Sequence, residues 1–287
     1  MDEKPIVVVN VFAMSYSGGT WLNLLLGSHS EAFVIGSLKH VRQVGGSLCM
    51  FDGEDCPVWS RFDVTSAENP FHQLHRLTDK RFLILKNSSG HLADQEEDDI
   101  DSKFVLLVRD GRAATASYMR KRPNTSIWKA AWWWRQDMKH ITRRFKRAAG
   151  RGGMVVSYEE LLDDTGAKLE EICDFVGMPY EPTMLKYWER DHHYIGGNLA
   201  TLTQMARIRN RQVCADSYRK VHSSDHNQIN WDLKHYDTTT PWRFVDDRWK
   251  KELSDAELRI FAIIAGGYNR RLGYSPSLHR GRARRAG

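Results

Sequence analysis

The chain is 287 residues long, 41% hydrophobic and 27% charged, with a formal net charge of +6. That length provides for one large domain with a substantial core, and the absence of any run of about 18 apolar residues excludes a membrane-spanning helix. The positive excess points to an anionic ligand, although part of it lies in the stretch His279–Gly287, "HRGRARRAG", within a basic tail over residues 278–287 that follows a single domain over 1–277. No RNA- or DNA-reading motif accompanies the charge, so the expected anion is small and not a nucleic acid. The opening "MDEKPIVVVN" lacks a secretory charge pattern, which predicts a cytoplasmic protein without stable membrane insertion. The cysteines Cys49, Cys56, Cys173 and Cys214 make no disulfide framework in a chain of this length. Cys49 and Cys56 can pair or bind metal, but no C-x-x-C and no nearby histidine pair supports either, so scattered thiols and no metal are expected.

Taken in order, the apolar run Ile6–Phe12 predicts a first buried strand. A helix over Gly19–Ser28 follows it. Further buried strands are expected at Phe82–Leu85, Phe104–Val108 and Met154–Val156. The third strand leads into a helix over Gly111–Lys121, stopped before Pro123. A longer helix spans Ser126–Ala148 and ends at the glycines 150, 152 and 153. Helical patterns also fit Ala167–Val176 and Asp255–Arg271. Between Val34 and Arg81, and between Arg190 and Arg248, the pattern is irregular and polar, as in insertions that cover or shape a site. Strands alternating with helices predict an α/β fold: a three-layer domain, its central parallel sheet flanked by helices, with ligands at the carboxyl ends of the strands.

The stretch Ser15–Trp21, "SYSGGTW", sits between the first strand and its helix. Glycines let a backbone turn tightly and bring its N–H groups close to oxygen, while a helix start adds unpaired donors and a positive dipole end. Ser17 and Thr20 add hydroxyls. The competing reading is an ordinary capped turn. A nucleotide hydrolase of the usual P-loop kind needs G-x-x-x-x-G-K-[ST], and no lysine stands here. A second anion site is expected after the strand Phe104–Val108, where Arg109 stands at the strand end and Ser117 follows eight residues on. A guanidinium there can grip a phosphate through two parallel bonds. The alternatives are an Arg109–Asp110 pair and a Ser117 that merely caps or packs.

With both motifs in view, the chain resembles the sulfotransferases that use 3′-phosphoadenosine 5′-phosphosulfate (PAPS), bacterial members in particular. "SYSGGTWL" is similar to their 5′-phosphosulfate loop, "RDGRAATASY" to their Arg-x7-Ser 3′-phosphate motif, and "VVSYEELLDDTGAKLEEICDFVGMPYEP" to their Tyr-Glu-Asp-Leu strand-helix segment. "LLLGSHSEAFVIG", "HHYIGGN", "DDRWKKELSDAEL" and the late Gly273-Tyr274 continue the likeness in order. The resemblance implies a P-loop-like sulfotransferase fold with PAPS as co-substrate. It implies that Tyr16, Ser17, Gly18, Gly19, Thr20 and Trp21 surround the 5′-phosphosulfate and that Arg109 and Ser117 bind the 3′-phosphate. Tyr158 would lie near the adenine. A basic segment would close over the 3′-phosphate, with Arg207, Arg209 and Arg211 as candidates. The acceptor would be a hydroxyl or amine of a small molecule, lipid or carbohydrate, and the transfer needs no metal.

Two positions depart from the family. Tyr16 stands where a loop Lys or Arg usually stabilises the bridging oxygen, and a phenol carries no charge at pH 7. Ser37, in "VIGSLKHV", stands where bacterial members often place a glutamate base. Lys86, at the end of "FLILK", is the candidate for the charge, and His40 or His91 for the base, against solvated or packing roles for each. His192 and His193 are further candidates. Of Trp132, Trp133 and Trp134, adjacent positions about 100° apart on a helix cannot share one face, so core and pocket roles must be divided among them. The alternatives to a transferase are a catalytically silent nucleotide-binding protein of the same fold and a nucleotide-dependent phosphotransferase. All of this requires the glycine loop and Arg109 to face one cleft.

Overall fold

A computed structural model describes residues 5–37, 49–87, 98–214, 217 and 247–275. The candidate bases His40 and His91, and the basic tail, lie outside the described residues. The chain forms five strands, β1 (Ile6–Ala13), β2 (Ala32–Gly36), β3 (Phe82–Lys86), β4 (Ile100–Val108) and β5 (Gly153–Ser157), joined in one sheet of order β2-β3-β1-β4-β5. Every pairing is parallel, with Val9 opposite Ile84 and Lys103, and Phe12 opposite Leu106. β1 is buried along its whole length, as a strand covered by helices on both faces must be.

Alternation along the strands sends side chains to two helical layers. Phe12, Phe104, Leu106 and Val108 meet Trp134, Met138, Ile141 and Phe145 of helix α4 (Ile127–Ala149) and Phe261 of the C-terminal helix. Val7, Val9, Val11, Val105 and Leu107 face the other way, onto Leu22 and Leu25 of helix α1 (Gly19–Leu26). The expected three-layer α/β domain is therefore observed, and with it helices α3 (Gly111–Lys121) and α6 (Thr165–Val176), separated by the short α5 (Tyr158–Asp163). Among the described residues, no helix is long and apolar enough to cross a membrane.

The two irregular stretches contain more order than their composition indicates. The first holds β2 and helix α2 (Pro70–Thr78), which opens with an Asn69 cap and a proline in its first turn. The second holds helix α7 (Leu199–Ile208), whose start is capped by the Asn198 side chain. The expectation of scattered cysteines is also corrected. Cys49 and Cys56 carry free thiols and lie together with Asp52 and His193, because the chain folds residue 193 back onto the segment 49–56. His193 is 137 residues from Cys56, beyond the reach of any spacing argument.

Candidate active site

In the order β2-β3-β1-β4-β5 the chain passes from β1 to the edge strand β2, returns beside β1 as β3 and then crosses to the other side at β4. The carboxyl ends of β1 and β4 therefore border the crevice where open parallel sheets bind ligands. The glycine loop leaves the first of these ends and Arg109 the second. The two are in contact: Arg109 Nη1 donates to the Tyr16 carbonyl at 2.7 Å, and its guanidinium lies 4.4 Å from the Tyr158 ring centroid. Arg109 is 6% exposed. Its alternative partner, Asp110, is gripped instead by Arg112, at 2.6 Å, and caps α3 through the Arg112 amide.

The loop's shape follows from its residues. Tyr16 and Gly18 both have left-handed backbone, φ 68° and 89°. In Tyr16 this is a strained conformation of the kind concentrated at functional loops. At Gly18 it is joined by a close approach, since a Cβ there would stand 2.5 Å from the Tyr158 ring. Ser17 Oγ donates to the Met14 carbonyl at 2.6 Å, so this hydroxyl holds the loop closed. No side chain caps α1, and no acidic residue stands in its first turn. Its first-turn amides at Gly19 and Thr20 thus form an anion-accepting terminus. Tyr158, 5% exposed, is wedged between Gly18, Trp21 and Arg109, and shapes the loop from beneath.

Lys86 ends β3 beside this loop, its ε-carbon 3.8 Å from where a Cβ on Gly19 would stand. Burial pulls the ammonium below its ordinary pKa, against a weaker opposite pull from Asp137 on α4. Lys86 makes no ion pair among the described residues. A half-buried lysine beside a glycine loop, with Asp137 as its electrostatic counterweight, fits the pattern of a functional group. Ser117, 5% exposed, lies in α3 behind Arg109. The tryptophans divide as geometry demands: Trp134 is core, Trp132 is 57% exposed, and Trp133 stacks on Tyr118 at 4.1 Å with Tyr16 edge-on to both. Trp133 is the one that reaches the loop's surroundings.

Part of the irregular stretch after Arg190, expected to cover or shape a site, lies against the loop. The Asn198 amide donates to Thr20 Oγ1 at 3.0 Å, and Asn23 Nδ2 donates to the Tyr194 hydroxyl at 3.4 Å. Gly197, at φ 98°, lets the chain pass, for a Cβ there would stand 2.8 Å from Tyr194 and 3.2 Å from Thr20. The helix that follows carries Arg207 exposed near its end. Arg209 pairs with Asp191 at 2.6 Å and Arg211 with Asp52, so Arg207 alone of the three makes no ion pair among the described residues. Ser37 is buried, its amide donating to the Ile195 carbonyl at 3.0 Å. His192 is a satisfied core histidine, donating from Nε2 to the Tyr187 carbonyl at 2.8 Å, and burial lowers its pKa to about 4.

A parallel sheet whose switch point carries a glycine loop and a strand-end arginine is an α/β architecture of the kind that binds ligands at the carboxyl ends of its strands. The comparisons make the class particular. The profile of the Sulfotransferase family matches residues 101–182, which hold Arg109, Ser117 and Tyr158 but not the glycine loop. The chain is similar to the sulfotransferase domain from the Synechococcus PCC 7002 olefin synthase, with a TM-score of 0.53 at 18% identity, over 93% of this chain and 96% of that one. It is likewise similar to the sulfotransferase domain from the curacin biosynthetic pathway, with a TM-score of 0.51 at 16% identity, over 92% and 98%. No curated protein matches the chain. The fold is that of the sulfotransferases, and the centre of the sequence carries their family profile.

Proposed function

We propose that this protein transfers a sulfuryl group from PAPS to a hydroxyl or amine of a small-molecule, lipid or carbohydrate acceptor. The observation that supports the reading is the contact between Arg109 and the glycine loop, the two elements whose chemistry suits anions. A ligand with a 5′-phosphosulfate on the loop amides and a 3′-phosphate toward Arg109 and Ser117 matches that pair. Bound there, PAPS supplies a sulfuryl group whose bond to the bridging oxygen breaks as the acceptor oxygen or nitrogen bonds to sulfur, the electron pair leaving on the 5′-phosphate. The amides of Gly19 and Thr20 bind and orient, and Lys86 brings positive charge to the loop where Tyr16 brings none. Positioning and fixed charge supply most of the acceleration in transfers of this kind. The acceptor proton goes to a base for which His40 and His91 are the candidates. Arg207 closes over the 3′-phosphate from the cover segment.

The test is thermal stabilisation by 3′-phosphoadenosine 5′-phosphate set against AMP and ATP. The expected outcome is a rise in Tm with the 3′-phosphorylated nucleotide and little with the others. An equal rise with AMP removes Arg109 and Ser117 from the 3′-phosphate role. Incubation with labelled PAPS and a mixed acceptor library then separates a transferase from a silent binder of the same fold, which holds the nucleotide and yields no labelled product.

A further inference from the structure

We infer that Cys49, Cys56, His193 and Asp52 form a structural zinc site that fastens the loop cover to the segment beneath it. Their donor atoms all lie within 4.8 Å of one another. Cys49 Sγ is 3.3 Å from Asp52 Oδ2, Cys56 Sγ is 3.5 Å from His193 Nδ1, and His193 Nδ1 is 2.8 Å from Asp52 Oδ2. Zinc bond lengths of about 2.3 Å to sulfur and about 2.0 Å to nitrogen or oxygen give tetrahedral edges of about 3.5 Å from S to N or O and about 3.3 Å from N to O. The two sulfur edges match. The His193–Asp52 edge, 2.8 Å, needs to open by about 0.5 Å to reach that tetrahedron.

Both cysteines are fully buried, and the Asp52 amide donates to Cys49 Sγ at 3.4 Å. A neutral thiol is a weak acceptor, whereas a metal-bound thiolate needs such donors. The second oxygen of Asp52 is held by Arg211, and the His193 ring stacks on Phe33, so two of the ligands are already oriented by outer partners. The charges close as well: two thiolates and a carboxylate carry three negative charges, and a divalent cation with Arg211 brings three positive ones. Two thiolates with an imidazole select zinc over magnesium or calcium. Four protein donors leave no open position, which marks a structural and not a catalytic centre. On binding, the two thiol protons pass to solvent.

The site's place in the fold gives it a purpose. Cys49 bridges by backbone to Ile195, the Ser37 amide donates to the Ile195 carbonyl, and three residues further on Asn198 reaches Thr20 of the glycine loop. A metal at His193 therefore pins the strip that lies over the loop. The inference does not depend on the sulfotransferase reading.

The full chain, purified under reductant and without chelator, is expected to carry close to one zinc per molecule by elemental analysis. After stripping and reloading with cobalt(II), it should show thiolate charge-transfer bands and the intense visible bands of four-coordinate cobalt. Cys56→Ser and His193→Ala should lose the metal, while Cys214→Ser, outside the donor set, should keep it. Chelation should lower Tm by several degrees. If the variants do not fold, the cobalt spectrum of the native chain decides by itself. Less than a tenth of a metal per chain before and after reloading, or only the weak spectrum of six-coordinate cobalt, would overturn the inference. So would a Cys49–Cys56 disulfide in the protein kept under reductant.

Discussion

Lys86 and Arg109 stand at the ends of the strands on opposite sides of β1, and the proposed function divides the work of the crevice between them. Arg109 is buried against Tyr158 and tied to the loop carbonyl, a position for holding a ligand. Arg109→Ala is expected to weaken binding of 3′-phosphoadenosine 5′-phosphate by about 1.5–3 kcal/mol, about 10- to 150-fold in Kd by calorimetry. Arg109→Lys should recover only part, because an ammonium cannot make the paired planar bonds of a guanidinium. Lys86 sits where charge develops and not where the nucleotide is gripped, so Lys86→Ala should leave Kd within a few-fold and lower kcat by about 100-fold or more. Unchanged turnover in that variant would remove Lys86 from the mechanism. Both residues were legible in the sequence because each ends an apolar strand, and strand ends in parallel sheets are where ligands sit. The role of Tyr158 as a wedge was not legible, since it depends on a missing Cβ at Gly18.

Between elements, the C-terminal helix is the least obvious support of the site. It runs from Asp255 through a π segment, Ala262–Gly266, to Arg271. Near its end Asn269, 3% exposed, accepts from the Gly111 amide at 2.9 Å and donates to Asp110 Oδ1 at 3.2 Å. Tyr274 donates to Glu159, which in turn accepts from the Asp110 amide at 3.2 Å. The turn that follows Arg109 is thus locked from 158 residues away. Asn269→Ala leaves a buried N–H unsatisfied and should cost about 1–3 kcal/mol in urea unfolding, with a several-fold rise in nucleotide Kd. Helix α3 was read to the residue because Asp110 and Pro123 mark its ends. By contrast β2, the five residues "AFVIG", is too short for its apolar character to separate it from a loop. Helix α2 is mostly polar and falls within the stretch read as irregular. The cover segment and the cysteine cluster depend on contacts across more than a hundred residues, which no local pattern encodes.

At the scale of the molecule, His192 sets an acid limit. Its folded pKa near 4 lies below the ordinary 6.5, so the unfolded chain binds the extra proton first and stability falls as pH drops from about 6.5 to about 4. Over that window the group contributes about 3 kcal/mol of lost stability, from a shift of 6.5 to about 4. His192→Gln, which can still donate to the Tyr187 carbonyl, should flatten this part of the pH profile in chemical denaturation while leaving the pH 7 value within about 1 kcal/mol. A parallel fall in variant and native chain would place the acid sensitivity elsewhere.

The central position of β1 has a consequence for how the chain is made. Its two neighbours begin at Phe82 and Ile100, so this strand can find no sheet partner until synthesis has passed Phe82. An apolar ribbon broken only by Asn10 waits exposed during that interval, a target for holding chaperones and for off-pathway association. The seven buried aliphatic and aromatic side chains that later seal the middle of the domain are, at birth, its chief hazard.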